Sequence, residues 1–229
     1  LQTISNNAFD SCGLTSVNIP ANVSTVGTNP FRLCKELRTL TVDSNNSKYT
    51  SFGVNALFET STKKLITGTI SNAAYKDAFN SFLKLPSVIG DSAFWGMDGL
   101  IYTLKIPSNI TAIENNAFYS CSKLPAVDFS SVSSGFTIGR SAFTNCYNLI
   151  DFVIPTNVTS IGYDAFYVSS YLSPRLKNIY SAYSSRPSGY DSSFTGSNVN
   201  VYYYKTTQPT TSGLYWRYVG GYPQAWNGP

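Results

Sequence analysis

The chain has 229 residues, of which 42% are apolar and only 12% charged, and 16 basic against 12 acidic residues leave a net charge of +4. Soluble domains usually carry about a quarter charged residues, so this surface is built from something else: Ser, Thr and Asn make up roughly a third of the sequence. The small, scattered positive excess excludes a nucleic-acid groove. The absence of histidine excludes Ser-His-Asp and Cys-His catalysis, imidazole zinc sites and a histidine pH switch. No apolar run approaches the ~20 residues of a membrane helix, so no membrane insertion is expected of this chain.

From the N-terminus onward a single pattern recurs. It reads Ile4-Ser-Asn-Asn-Ala-Phe9, Val26-Gly-Thr-Asn-Pro-Phe31, Ile89-Gly-Asp-Ser-Ala-Phe94, Ile113-Glu-Asn-Asn-Ala-Phe118, Ile138-Gly-Arg-Ser-Ala-Phe143 and Ile161-Gly-Tyr-Asp-Ala-Phe166. After each phenylalanine comes a Leu-x-x-apolar-x-apolar stretch, often closed by proline, as in Leu14-Thr-Ser-Val17-Asn-Ile19-Pro20. Phe-to-Phe spacings are 22 (9 to 31), 24 (94 to 118), 25 (118 to 143) and 23 (143 to 166). That period lies in the window of leucine-rich repeats and predicts an α/β repeat solenoid, a single stack of coils with one short parallel strand each. Alternation in Leu-x-x-Val-x-Ile points the apolar residues inward, and proline, lacking an N–H, ends the strand.

Asn7, Asn29, Ser92, Asn116, Ser141 and Asp164 stand two residues before each phenylalanine and read as N-caps of a short helical turn; Pro30 fits the first position of such a turn. Gly27, Gly90, Gly139 and Gly162, between strand and turn, read as positions needing positive φ. Cys12, Cys34, Cys121 and Cys146 each follow a repeat phenylalanine by three residues and read as a buried column; pairing of Cys12 with Cys34 or of Cys121 with Cys146 is left open.

The string Ile-Gly-x-x-Ala-Phe-x-x-Cys-x-x-Leu-x-x-Val-x-Ile-Pro resembles the BspA-like leucine-rich repeat family. Residues 4–27 and 138–162 match it nearly throughout, and the segment from 1 to about 183 does so in some form. The resemblance implies an exported or surface-displayed protein of mucosa-associated bacteria or some protozoa. It also implies binding of host proteins such as fibronectin, or of partner bacteria. The family motif consists of packing positions, so it carries over no site residue. Leu1 starts in mid-pattern, so the natural protein is expected to extend upstream, with its export signal there.

The repeat is interrupted between Phe31 and Phe94. Val54–Glu59 and Lys64–Thr69 read as a hairpin inserted at about 50–70, and Ala78-Phe79 with Phe82–Pro86 as a degenerate coil. Past 183 the pattern decays: residues 184–229 are expected to form a degenerate last coil, Phe194 followed by Val199-Asn-Val201-Tyr-Tyr-Tyr204, and an aromatic-rich C-terminal cap. That tail also resembles one found on some family members.

Outward strand positions define the candidate binding face: Ser16 and Asn18, Thr39 and Thr41, Thr103 and Lys105, Ala126 and Asp128, Asp151 and Val153, Asn178 and Tyr180. Most are small and polar, suited to directional hydrogen bonds without electrostatic steering. Asp128 and Asp151 fall diagonally on adjacent coils. Retaining glycosidases need carboxylates ~5–5.5 Å apart in a water-excluding site, and an open solenoid face is not one. The expectation is a noncatalytic, extracellular or cell-surface adhesion module, without cofactor or metal, recognising a host or bacterial surface protein or a glycan. Its rivals are a structural spacer in a longer protein and carbohydrate stacking on Trp216, Tyr218 and Trp226. Asn22-Val-Ser24, Asn109-Ile-Thr111 and Asn157-Val-Thr159 fit the glycosylation sequon, but all occupy one repeat position and read as turn chemistry.

Overall fold

The computed structural model describes residues 1–51, 56–69, 86–169, 171, 174–191, 194 and 199–226. Each regular coil holds two short strands rather than one. The first coil has β1 (Thr3–Ile4) and β2 (Ser16–Ile19), the second β3 (Thr25–Val26) and β4 (Thr39–Val42). An antiparallel meander follows, β5 (Tyr49–Thr50), β6 (Ala56–Glu59) and β7 (Lys64–Gly68). Four more coils carry β8 (Val88–Ile89) with β9 (Leu104–Lys105), β10 (Ala112–Ile113) with β11 (Val127–Asp128), β12 (Phe136–Ile138) with β13 (Phe152–Ile154), and β14 (Val158–Ile161) with β15 (Asn178–Ser181). The chain closes with β16 (Asn200–Tyr204), β17 (Tyr215–Val219) and β18 (Tyr222–Ala225).

These strands stack as two parallel ladders. The first joins β1 to β3 and runs β7-β8-β10-β12-β14; the second joins β2 to β4, β9 to β11, and runs β13-β15-β16-β17 before β18 turns back antiparallel. The expected Leu-x-x-Val-x-Ile strand is the second ladder. The first ladder, on the residues just before each repeat Gly, was not anticipated.

No α-helix occurs among the described residues, so the α/β label is corrected to a β-solenoid. The six residues read as N-caps all have left-handed backbone, φ 53–58°. An N-cap needs extended backbone, so none of them can start a helix. Asn and Asp are also the non-glycine residues that enter the left-handed region most readily, which explains the same residue types by a different geometry. A second left-handed residue follows four positions later at Ser11, Leu33, Gly96, Ser120 and Asn145. The backbone thus zigzags through consecutive turns. Some N–H groups close them internally, as Trp95 to Ser92 O (3.1 Å) and Met97 to Phe94 O (3.2 Å). Alternate ones point sideways, as Asn116 to Arg140 O (2.9 Å), Phe118 to Ala142 O (2.8 Å) and Ser120 to Thr144 O (2.8 Å). A helix would spend those donors within the coil and leave neighbouring coils unbonded.

The glycines are also corrected. Gly27, Gly90, Gly139 and Gly162 do not have positive φ; among the described residues the left-handed glycines are Gly96, Gly135, Gly220 and Gly221. What the repeat glycines supply is contact distance. A Cβ on Gly139 would stand 2.6 Å from both the Asn115 nitrogen and the Glu114 carbonyl carbon of the preceding coil, and Gly162 meets Arg140 in the same way.

Inside the stack the repeat phenylalanines form a column. Phe94, Phe118, Phe143 and Phe166 lie ring over ring at 5.2, 5.0 and 5.3 Å, with interplanar angles of 14°, 5° and 4°. Phe9 and Phe31 repeat the arrangement at 5.3 Å. Asn109 and Asn157 donate side-chain N–H groups to Pro86 O and Val132 O of the preceding coil, each at 2.6 Å, so two sequon asparagines are turn staples. The inserted hairpin is a rung of the solenoid: β7 pairs parallel with β8, and Leu57, Phe58 and Leu65 are fully buried. The expected degenerate coil at 78–85 lies outside the described residues.

Close approach at Gly139 has a direct test. Gly139→Ala should lower unfolding free energy in urea by about 2 kcal/mol, the scale of overpacking. Gly13→Ala, where nothing lies within 4 Å of the added carbon, should stay within ~0.5 kcal/mol.

Candidate ligand-binding face

The expected face residues are outward on the second ladder, but they do not form one continuous surface. Ser16, Asn18, Thr39 and Thr41 are exposed on the β2–β4 pair, where Ser16 faces Thr39 and the Thr41 hydroxyl donates to Asn18 Oδ1 at 2.9 Å. Lys105 is exposed and stands opposite half-buried Asp128 on the β9–β11 pair, with Thr103 and Ala126 half-buried beside them. Val153, Asn178 and Tyr180 belong to the five-stranded sheet that starts at β13, and Asp151 immediately precedes it.

Neither aspartate is set up for acid–base work. Asp128 Oδ1 accepts the Ser130 backbone N–H at 2.9 Å, closing its own turn. Asp151 is more heavily engaged: Oδ1 accepts from the Lys177 and Asn178 backbones at 2.8 Å each, and Oδ2 from Asn178 Nδ2 at 2.7 Å. These bonds stitch adjacent coils together and hold the carboxylate as an acceptor.

The tail aromatics separate by strand parity. Trp216 is completely buried, and its indole N–H donates to Ser181 O at 2.6 Å. It lies against Tyr180 (5.5 Å), Tyr204 (5.1 Å) and Tyr218 (4.8 Å, near-perpendicular at 70°). Trp226 bonds opposite Tyr215, which puts it on the other side of the hairpin, where the Arg217 guanidinium stacks on it at 4.0 Å. Trp216, Tyr218 and Trp226 therefore cannot make one sugar-stacking platform. Trp216 has no free face and Trp226 points the other way.

Register instead brings the expected Asn178 and Tyr180 beside Asn200, Tyr202 and Tyr204, which the sequence did not single out. Asn178, Tyr180 on β15 pair with Asn200, Tyr202 on β16, and Tyr204 pairs with Trp216. The Tyr180 and Tyr202 rings lie 5.5 Å apart at 30°, and Asn200 Nδ2 donates to Asn178 Oδ1 at 3.4 Å. An aromatic row thus runs beside an amide row. The alternation was legible: Val199 and Val201 pack against the core, so Asn200, Tyr202 and Tyr204 must face out. Burial, followed by the nearby Asp151 carboxylate and Tyr202, raises the Tyr180 phenol above its ordinary value, so it stays a neutral O–H donor.

The four cysteines are free thiols. Cys121 and Cys146 are fully buried, and each donates its S–H to the repeat phenylalanine carbonyl one coil back, Phe94 O at 3.1 Å and Phe118 O at 3.2 Å. Burial pushes the Cys146 thiol up to about 12 and raises Cys121 well above its ordinary value. Cys34 makes the same bond to Phe9 O at 2.8 Å, but it and Cys12 are only half-buried.

Comparison with known proteins agrees with this geometry. The sequence matches the family described as BspA type leucine-rich repeat region, in six copies, over residues 2–89 and 68–185. The fold resembles a leucine-rich cell surface protein from Faecalibacterium prausnitzii (TM-score 0.59, 23% identity, covering 89% of this chain and 51% of that one). It also resembles the pneumococcal vaccine antigen PcpA (TM-score 0.53, 19% identity, 90% and 49%). A leucine-rich repeat protein from Eubacterium ventriosum is similar too (TM-score 0.52, 21% identity, 89% and 46%). The chain spans about half the length of these structures. No curated protein matches the sequence.

Thiol reactivity should follow burial. In native buffer Ellman's reagent should modify Cys12 and Cys34 only, with Cys121 and Cys146 reacting once denaturant is added. Four equal rates in the native state would contradict a closed stack.

Proposed function

Since the chain belongs to the BspA-type leucine-rich repeat family, we propose that it is a noncatalytic binding module of a cell-surface or secreted protein, recognising a host or bacterial macromolecule through the outward face of its second ladder. The observation that carries this reading is the hydrogen-bonded order of that face. Thr41 on Asn18, Asn178 on Asp151 and Asn200 on Asn178 fix outward side chains across coils. Groups already held in place lose little entropy when a ligand arrives. The low charge supports contact through hydrogen bonds and ring faces rather than long-range attraction. The surface location is supported by the family and by the description of the Faecalibacterium relative.

The test compares the purified chain with a Thr41→Arg, Lys105→Glu, Asn200→Arg variant on immobilised mucosal matrix extract. All three positions are exposed, so the fold should change by no more than ~0.5 kcal/mol at each. The expected result is saturable retention of the native chain, weakened at least about tenfold in the variant. Equal retention would move the site off this face. Retention of neither would leave the chain as a spacer that displays other parts of a longer protein.

A further inference from the structure

The C-terminal end of the second ladder differs from the rest of the face in being aromatic, and its outward strand residues are uncharged. By register, one side of the β15–β18 sheet presents Asn178 and Tyr180, Asn200, Tyr202 and Tyr204, Trp216 and Tyr218, then Pro223 and Ala225. None of these is Lys, Arg, Asp or Glu. The neighbouring Asp151 is already occupied by three N–H donors. Arg217 and Gln224 are paired with each other on the opposite side.

Two kinds of group lie side by side here. Tyr180 and Tyr202 form one ring pair across β15 and β16, and Tyr204 and Tyr218, at 6.2 Å, form a second across β16 and β17. Adjacent strands are about 4.8 Å apart, so the rings recur at a step comparable to one sugar ring. Along their flank the amides of Asn178 and Asn200 run in the same direction, and the row ends on exposed Asn200, whose amide offers both donors and acceptors. Trp216 is the floor. It touches Tyr180, Tyr204 and Tyr218 while its own N–H is tied to Ser181 O, so the tyrosines rest on a side chain that cannot swing away.

We propose that this strip, Tyr180, Tyr202, Tyr204 and Tyr218 flanked by Asn178 and Asn200, binds a neutral, unbranched oligosaccharide. It rests on the reading of the outward ladder as the binding face and names the ligand class for its C-terminal end. A pyranose has an apolar C–H face that stacks on a ring and an equatorial rim of hydroxyls that pairs with amides, and the strip supplies both, in parallel rows. Absence of a free cation disfavours an acidic glycan. An extended peptide docks by main-chain bonds to a sheet edge, and these residues occupy a sheet face, where no main-chain groups are open.

The experiment titrates the full chain with chitotriose, cellotriose, maltotriose and N-acetyllactosamine, read by amide and aromatic NMR shifts and by saturation transfer from protein to sugar. At least one should bind weakly and saturably, with shifts concentrated on the strip. Tyr202→Ala should weaken it about tenfold, the scale of one aromatic contact, while Tyr202→Phe should retain most of the affinity. Tyr222→Ala, at 77% exposure on the opposite side, should change nothing. An unchanged Trp216 indole N–H resonance in each variant certifies the fold. Binding of none of the four sugars, or equal losses from Tyr202→Ala and Tyr222→Ala, overturns the proposal. If the matrix retention described above persists and no sugar competes with it, the strip is not a saccharide site while the binding face stands. Loss of both overturns the two readings together.

Discussion

The structure depends on the sideways hydrogen bond. In the turn around each repeat phenylalanine, every second backbone N–H leaves its own coil and donates to a carbonyl of the next, as Ser141, Phe143 and Asn145 do to Tyr163, Ala165 and Tyr167. A buried backbone donor without a partner is costly, so once the turn adopts this zigzag the neighbouring coil becomes obligatory. Other features follow from that spacing. Phenylalanine rings stack almost parallel because their backbones are held a strand spacing apart. Glycine stands where strand meets turn because a Cβ would collide with the coil before it. The cysteine thiol fits because the carbonyl it reaches belongs to the adjacent coil.

Much of this was readable from the sequence, and the misses have physical causes. Repeat period, inward columns and proline stops came directly from residue spacing. The helical turn did not survive, because Asn, Ser and Asp serve equally as N-caps and as left-handed turn residues, and composition does not separate the two. Only the partner of the backbone N–H does, and that partner is more than 20 residues away, as Asn116 to Arg140 shows. The first ladder was missed for a similar reason: pieces as short as Ala112–Ile113 are too brief to show a period. The hairpin was found, but its integration was not, since the β7–β8 pairing is a long-range fact.

For the binding face, parity was the decisive rule and it was applied unevenly. Counting alternate residues from each repeat leucine placed Asn18, Thr41 and Lys105 outward, where they are. The tail was judged by residue type instead, which favoured the tryptophans. Alternation from Val199 and Val201 would have selected Tyr202 and Tyr204, whereas only the register of the β17–β18 hairpin sets Trp226 on the opposite side from Trp216. Burial of Trp216 itself was beyond such counting, because it depends on three tyrosines from three strands closing over one indole.

The sideways bonds also run along the axis of the stack, and this gives the molecule a mechanical character. Solenoid coils contact only their neighbours, so cohesion is local and serial. A load applied between the two ends is carried by every interface in series, and the weakest one opens first. Each coil released, such as the 24 residues from Phe94 to Phe118, adds about 80 Å of extended chain. The remaining coils keep their Phe column and their ladders intact. Tension is therefore absorbed by lengthening in coil-sized steps, while the rest of the stack stays folded.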